Sequence, residues 1–337
     1  MNRRFLVQIC ASGAVVAMLL IVTLLAVSPL SGQALASAKA SGAAKTWTPP
    51  KTADGQPDLQ GVWTNQTNAP LERPKNLGAK EFYTPEEVAA RDQQAAAAAN
   101  AGNTPRDPGV HYDVSQFGLS RNWSKTAKSE RTSIIVGPEG TVPPLLAVAQ
   151  KRQADRQAVN RGHQFDGPEN RALGERCIMW PNEGPPMLPE GYNSNLQIVQ
   201  GPGYVAILQE MIHDVRIIPL DGRPHPPQAI RQYLGDSRGH WEGNTLVVDT
   251  TNFTDRTAFR GSSQNLHVVE RFTRTDDDTI LYQFTVDDPA TWDKPWSGEL
   301  PMGKVDGLVY EYACQEGNYG MRNILSGARA TEQAAAK

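Results

Sequence analysis

Tyr204-Val205-Ala206-Ile207-Leu208-Gln209-Glu210-Met211-Ile212-His213-Asp214-Val215-Arg216-Ile217-Ile218 splits into two sets by period two. Successive side chains of a strand point to opposite faces. Val205, Ile207, Gln209, Met211, His213, Val215 and Ile217 therefore share one side, and the pattern predicts one strand over 204–218. An imidazole among branched apolar side chains is either tied down in a core or open to a ligand cavity.

Further strand patterns flank this one at 196–200, 245–253, 266–274, 280–287 and 308–314. Asp221-Gly222, Glu242-Gly243-Asn244 and Asp276-Asp277-Asp278 are turn sequences between several of them. Short connections require antiparallel neighbours. The expected fold is mainly β, an antiparallel meander closing into a barrel or strongly curved sheet with peripheral helices. Arg131 to Val136 reads as a further strand ended by Gly137-Pro138. Thr84, Pro85 and Glu87 form the start signal of a helix, as N-cap, first-turn proline and capping-box acid. A second helix is expected from Pro143-Pro144 to Asn160, with Gly162 past its end, and a third from Arg322 to Ala335.

The N-terminus carries Arg3 and Arg4, an apolar run centred on Val15 to Val27, and Ala34-Leu35-Ala36. That order is a secretory signal peptide over 1–36, with an uncleaved anchor as the alternative. Residues 37–110 read as a tether and N-terminal helix, and 111–337 as the β-rich domain. The expected location is periplasmic or secreted, with membrane attachment only through a retained signal. Beyond Cys10, in the leader, two cysteines remain. Export makes Cys177 and Cys314 a natural pair, with two buried thiols as the alternative. The formal charge is −3, from 33 basic and 36 acidic residues without a basic run, so nucleic acid is not an expected partner.

Gly61-Val62-Trp63, followed by an antiparallel meander, is similar to the calycin, or lipocalin-like, pattern. Three longer stretches carry a second resemblance. They are Arg131-Thr132-Ser133-Ile134-Ile135-Val136, Asp236-Ser237-Arg238-Gly239-His240-Trp241-Glu242-Gly243-Asn244-Thr245-Leu246-Val247-Val248-Asp249-Thr250, and Glu311-Tyr312-Ala313-Cys314-Gln315-Glu316-Gly317-Asn318-Tyr319. With these, the mature chain resembles a large uncharacterised family of exported bacterial proteins. The resemblance implies no particular activity. Its pattern often carries histidine where this chain has Gln315, so a mechanism needing an imidazole there is not implied for this sequence.

His213 is the first candidate for proton transfer near neutral pH, with Gln209 on the same face of the expected strand. A buried structural histidine is the competing reading. His240 and Glu242 project to one side of their segment and make a candidate acid–base pair; alternatively they mark a hairpin tip with Trp241 plugging a barrel end. Asp249 shares a face with Val247 and Phe253. Desolvation there would raise its pKa, unless Arg231, Arg260 or Arg271 neutralises it. Trp180, Tyr192 and Trp241 are candidate substrate contacts at a barrel mouth, and Arg231 and Arg271 are candidate cations for an anionic oxygen. The histidines lack metal-site spacing, and no Rossmann, phosphate-loop or Gly-x-Ser-x-Gly motif occurs, so no metal or cofactor is expected. Together these residues predict a cofactor-independent acid–base enzyme (a lyase, isomerase or hydrolase) on a small organic or glycosidic molecule in the cell envelope. The alternative is a non-catalytic β-barrel for an apolar or carbohydrate-like ligand.

Overall fold

A computed structural model of the chain describes residues 47–102, 129–189 and 193–336. The expected leader lies outside them. Nine strands form one sheet: β1 (Gly61–Thr64), β2 (Asn195–Gly201), β3 (Tyr204–Gln209), β4 (Val215–Pro219), β5 (Asp236–Glu242), β6 (Thr245–Thr251), β7 (His267–Arg274), β8 (Thr279–Asp287) and β9 (Trp296–Lys304). Their order is β4-β3-β2-β1-β9-β8-β7-β6-β5, and every pairing is antiparallel. The edge strands β4 and β5 approach one another without ladder hydrogen bonds, so the barrel is nearly closed.

The period-two pattern appears directly in burial. Along β7 and β8, buried and half-exposed residues alternate without a break. The inner set supplies Val268, Phe272, Ile280, Tyr282, Phe284 and Val286, which pack with Trp63, Ile198 and Ile207 in one core. Met187 and Leu188 enter that core from the irregular segment after Trp180, and the Met187 amide donates to the Tyr282 hydroxyl at 2.8 Å. At one end Arg274 stacks over Trp63 and donates to the Asp58 carbonyl at 2.9 Å. The Trp63 indole N–H in turn donates to the Leu59 carbonyl.

The expected single strand over 204–218 is two strands. Ile212 and His213 both have left-handed backbones, at φ 60° and 64°. Two consecutive left-handed residues turn the chain back on itself, as in tight hairpins. Strand parity therefore does not carry across the turn: Ile207 and Met211 are buried, whereas Val215 is 45% exposed. The expected strand at 308–314 is irregular. Residues 131–136 make isolated bridges in place of a regular strand, Ile135 against Gly298 among them.

β9 had no sequence signal because it contains glycine and proline. Gly298 is required by space, since a Cβ there would lie 2.3 Å from the Phe284 ring. Pro301 is tolerated because its nitrogen faces an unpaired flank. The Glu299 amide, on the same side, bonds the Ile134 carbonyl, while β1 begins to pair only at Gly303.

The helices α1 (Pro85–Gly102), α2 (Ala147–Asn160) and α3 (Tyr319–Ala335) are peripheral. α2 buries only Ala149, and α3 buries nothing. The capping box at α1 is present: Glu87 accepts from the Thr84 amide at 2.7 Å, and Thr84 Oγ1 accepts from the Glu87 amide at 3.3 Å. Cys177 and Cys314 form a disulfide with Cα atoms 5.7 Å apart.

Candidate functional site

The seam where the barrel fails to close holds a cleft of about 500 Å³, lined by Asp214–Ile217 on one side and Gln232–Ser237 on the other. Gly239 of β5 brings the two edges together nearby. A Cβ there would lie 2.7–2.8 Å from Leu220 and Ile218, so a side chain would push the edges apart. Arg216 belongs to the inner face of β4 and lines the cleft. Its guanidinium grips both carboxylate oxygens of Glu270, which also accepts from the Tyr282 hydroxyl at 2.8 Å. Burial alone would favour a neutral Arg216, but the Glu270 carboxylate outweighs it and holds the cation firmly charged. Burial pushes the Tyr282 phenol well up, and the Glu270 charge adds to that. The Arg216 Nε is buried with no hydrogen-bond partner. An unpaired buried donor is costly.

Asp236, at the start of β5, also lines the cleft and joins it to a chain of titratable groups. His225, from the β4–β5 connection, places Nδ1 2.7 Å from Asp236 and Nε2 2.9 Å from Asp249. The second oxygen of Asp249 lies 2.7 Å from His267 Nε2. Arg238 forks onto Asp236 at 2.8 and 3.1 Å. Both bonds of His225 are donated together only when the ring carries both protons. The Nδ1 of His267 has no partner among the described residues, and that side chain is 39% exposed. The result is a continuous path, Asp236–His225–Asp249–His267, from the cleft to the outer face.

Desolvation raises the Asp249 carboxyl, but the two imidazoles outweigh it and hold it below the usual carboxylate range. The expectation of a raised Asp249, or of arginine neutralisation, is thereby corrected. No sequence pattern joins His225 and His267 to this carboxylate, because one comes from a loop and the other from β7. The Asp249 hydrogen bond holds His267 above the usual imidazole value, against the opposing effect of burial. A raised His267 stabilises below its unfolded value of about 6.5, and that contribution is lost as pH rises through the folded value. A depressed Asp249 stabilises above about 3.9, and that contribution is lost as pH falls through its folded value. The stability difference between the parent and His267→Gln should therefore peak between about pH 4 and 6.5 and shrink on both sides. Urea unfolding across pH at low salt measures it. The pair is more than a third exposed, so added salt should diminish the difference.

The expected His240–Glu242 pair is present on the outer face, at 3.2 Å, and Arg271 adds a second contact to Glu242 at 2.8 Å. Register explains the meeting: His240 is opposite Val247, which is opposite Arg271. Arg271 chiefly, with His240, holds the Glu242 carboxyl below its ordinary value. The trio is exposed. Trp241 points the other way, half-buried against the core, with its indole nitrogen buried and unpartnered.

The remaining candidates disperse. His213 lies in the β3–β4 turn near buried Glu210, whose carboxyl is pushed up by burial, and its Nδ1 is buried without a partner. Gln209 ends β3, buried and donating to the Glu183 carbonyl at 2.9 Å, while His213 lies in the turn beyond it and not on the same strand face. Arg231 donates to the carbonyls of Phe253 and Gln264 and acts as a loop tie. Trp180 packs against Gly174, where a Cβ would meet its ring at 2.6 Å. Tyr192 lies outside the described residues. No group of three or more His, Cys, Asp or Glu among the described residues is arranged to hold a metal ion. No helix among them is long and apolar enough to cross a membrane.

Neither a family model, nor a curated protein, nor a solved structure matches the chain.

Proposed function

We propose that the chain is an acid–base enzyme, a lyase, isomerase or hydrolase, acting on a small polar molecule at the barrel seam. The observation that carries this reading is the position of Asp236, which both lines the cleft and bonds His225. His225 exchanges a proton with Asp236 through Nδ1, while Nε2 stays coupled through Asp249 to exposed His267. A proton delivered to substrate at the cleft is replaced from solvent through His267, and one removed from substrate leaves the same way. Arg216 supplies fixed positive charge for an oxygen that becomes anionic. The disulfide supports an oxidising compartment outside the cytoplasm. A carrier with an apolar lumen is the weaker reading, because Trp63, Phe272, Tyr282 and Phe284 fill the lumen positions.

The test is incubation of the purified protein with metabolite mixtures, followed by mass spectrometry. A compound consumed by the parent should be turned over about 10²–10⁴-fold more slowly by His225→Gln, with unchanged circular dichroism. His267→Gln should chiefly shift the pH profile. Full turnover by folded His225→Gln, or no compound consumed by the parent, would overturn the proposal.

A further inference from the structure

A second concavity, of about 1010 Å³, lies away from the seam. It runs along one face of α2, between the segment Glu169–Arg176 and the turn at Asp255–Ala258. Val148, Lys151, Arg152, Asp155, Arg156 and Val159 line it from the helix. Their spacing of three and four places them on one stripe about 16 Å long. Six cationic and three acidic side chains line the cleft, a positive excess on a chain of net charge −3.

The cations fall into two groups. Lys151 pairs with Asp155 at 2.7 Å and Arg171 with Glu175 at 2.7 Å. Arg152 donates to the Gly261 and Ala290 carbonyls and to the Thr291 hydroxyl. Arg156, Arg176 and Arg256 have no side-chain acceptor among the described residues, and Arg156 and Arg176 are only partly exposed. Arg171 also donates to the Gln164 carbonyl, so Arg152 and Arg171 are committed to the protein while the other three are not. The guanidiniums of Arg156, Arg176 and Arg256 around one concavity thus retain donor capacity that an oxyanion would fill. The walls are also fixed in place. Arg152 ties α2 to the loops at Gly261 and Ala290, and the Cys177–Cys314 disulfide anchors the chain beside Arg176. Val148 and Val159, 60% and 73% exposed, add apolar surface to the same stripe.

We infer that this cleft binds a small organic dianion, two carboxylate or phosphate-like groups on an apolar body. Arginines contributed by three chain segments call for more than one oxyanion, and the exposed valines call for an apolar body joining them. A concave wall with an excess of one sign concentrates its field on a ligand of the opposite sign. The volume is at the upper end of small-molecule sites.

The experiment is titration calorimetry at low ionic strength with suberate, an eight-carbon dicarboxylate, against octanoate and inorganic pyrophosphate. Suberate should bind at least about tenfold more tightly than octanoate, because a second charge-assisted contact is worth that much. Arg156→Gln/Arg176→Gln should weaken suberate by about tenfold or more without lowering the melting temperature of the free protein. Arg256→Gln, at an exposed position, provides the same test should the double variant misfold. His225→Gln should bind suberate as the parent does, which separates this site from the seam. Equal binding of suberate and octanoate, binding of pyrophosphate alone, no binding of suberate, or unaltered affinity in the folded variants would each overturn the inference.

Discussion

Glu270→Leu is expected to lower the stability of the protein by about 3–5 kcal/mol, measured by urea unfolding. Glu270 is fully buried and its partner Arg216 is 3% exposed. Leucine leaves the guanidinium charged in an apolar interior without its counter-ion. Of its remaining contacts, the Ser237 hydroxyl at 3.4 Å is too weak to compensate. Tyr282 also loses the acceptor of its hydroxyl proton, although it still accepts from the Met187 amide. The companion variant Arg216→Met/Glu270→Leu removes both charges. It should recover most of the loss, because an apolar pair of similar volume avoids the desolvation penalty that the ion pair only partly offsets. A double variant as unstable as the single one would show that the damage comes from cavity or steric effects and not from an orphaned charge. Turnover separates a second role: if Arg216 serves the seam chemistry, the double variant regains stability but not activity.

Period two was legible wherever a strand ran between two turns of recognisable type. β7 and β8 follow the sequence pattern closely, because each buries one face and leaves the other half-exposed. The pattern misleads where a local backbone choice overrides it. Nothing in Met211-Ile212-His213-Asp214 announces two left-handed residues, since isoleucine rarely takes that conformation. The alternating pattern therefore continues in sequence through the turn, and parity predicts for His213 a strand face that it does not have. β5 was obscured by Gly239, whose lack of a side chain reads as a bulge or turn but accommodates Ile218 and Leu220 across the seam.

The site was legible in parts that lie close in sequence, and hidden where register brings distant residues together. His240 and Glu242 are two apart on one strand, so parity alone pairs them. Asp249 stood out as a carboxylate in a branched apolar run, but its partners are 24 residues before it and 18 after it. No local pattern specifies that His267 of β7 lies diagonally across from Asp249 of β6, or that a loop returns His225 to the same carboxylate. The sequence signal for His225 is weak in kind: a histidine in a proline-rich loop, Pro224-His225-Pro226-Pro227, where proline restricts the backbone on both sides of the imidazole.

Removing the disulfide, as Cys177→Ser/Cys314→Ser, is expected to lower stability by about 4–5 kcal/mol on the chain-entropy account. The bridged residues are 137 apart, and β2 through β9 all lie between them. The cross-link therefore restrains the unfolded form of nearly the whole barrel. The effect on the folded form is more local. Neither cysteine belongs to the sheet, the chain before α3 is irregular, and α3 buries none of its side chains. Without the bridge, α3 keeps contacts such as Asn318 to the Glu175 carbonyl and Arg329 to the Phe165 carbonyl. These are exposed hydrogen bonds of low net strength. Two measurements then separate the two effects. The urea midpoint of the barrel, followed by tryptophan fluorescence, should fall in the serine variant, and reductant should produce the same fall in the parent. Limited proteolysis in native buffer should cleave the variant before or within α3 while the barrel fragment persists. A barrel midpoint unchanged by the loss of the bridge would mean that the unfolded chain gains little freedom from it, and the loop-entropy argument would fail for this protein.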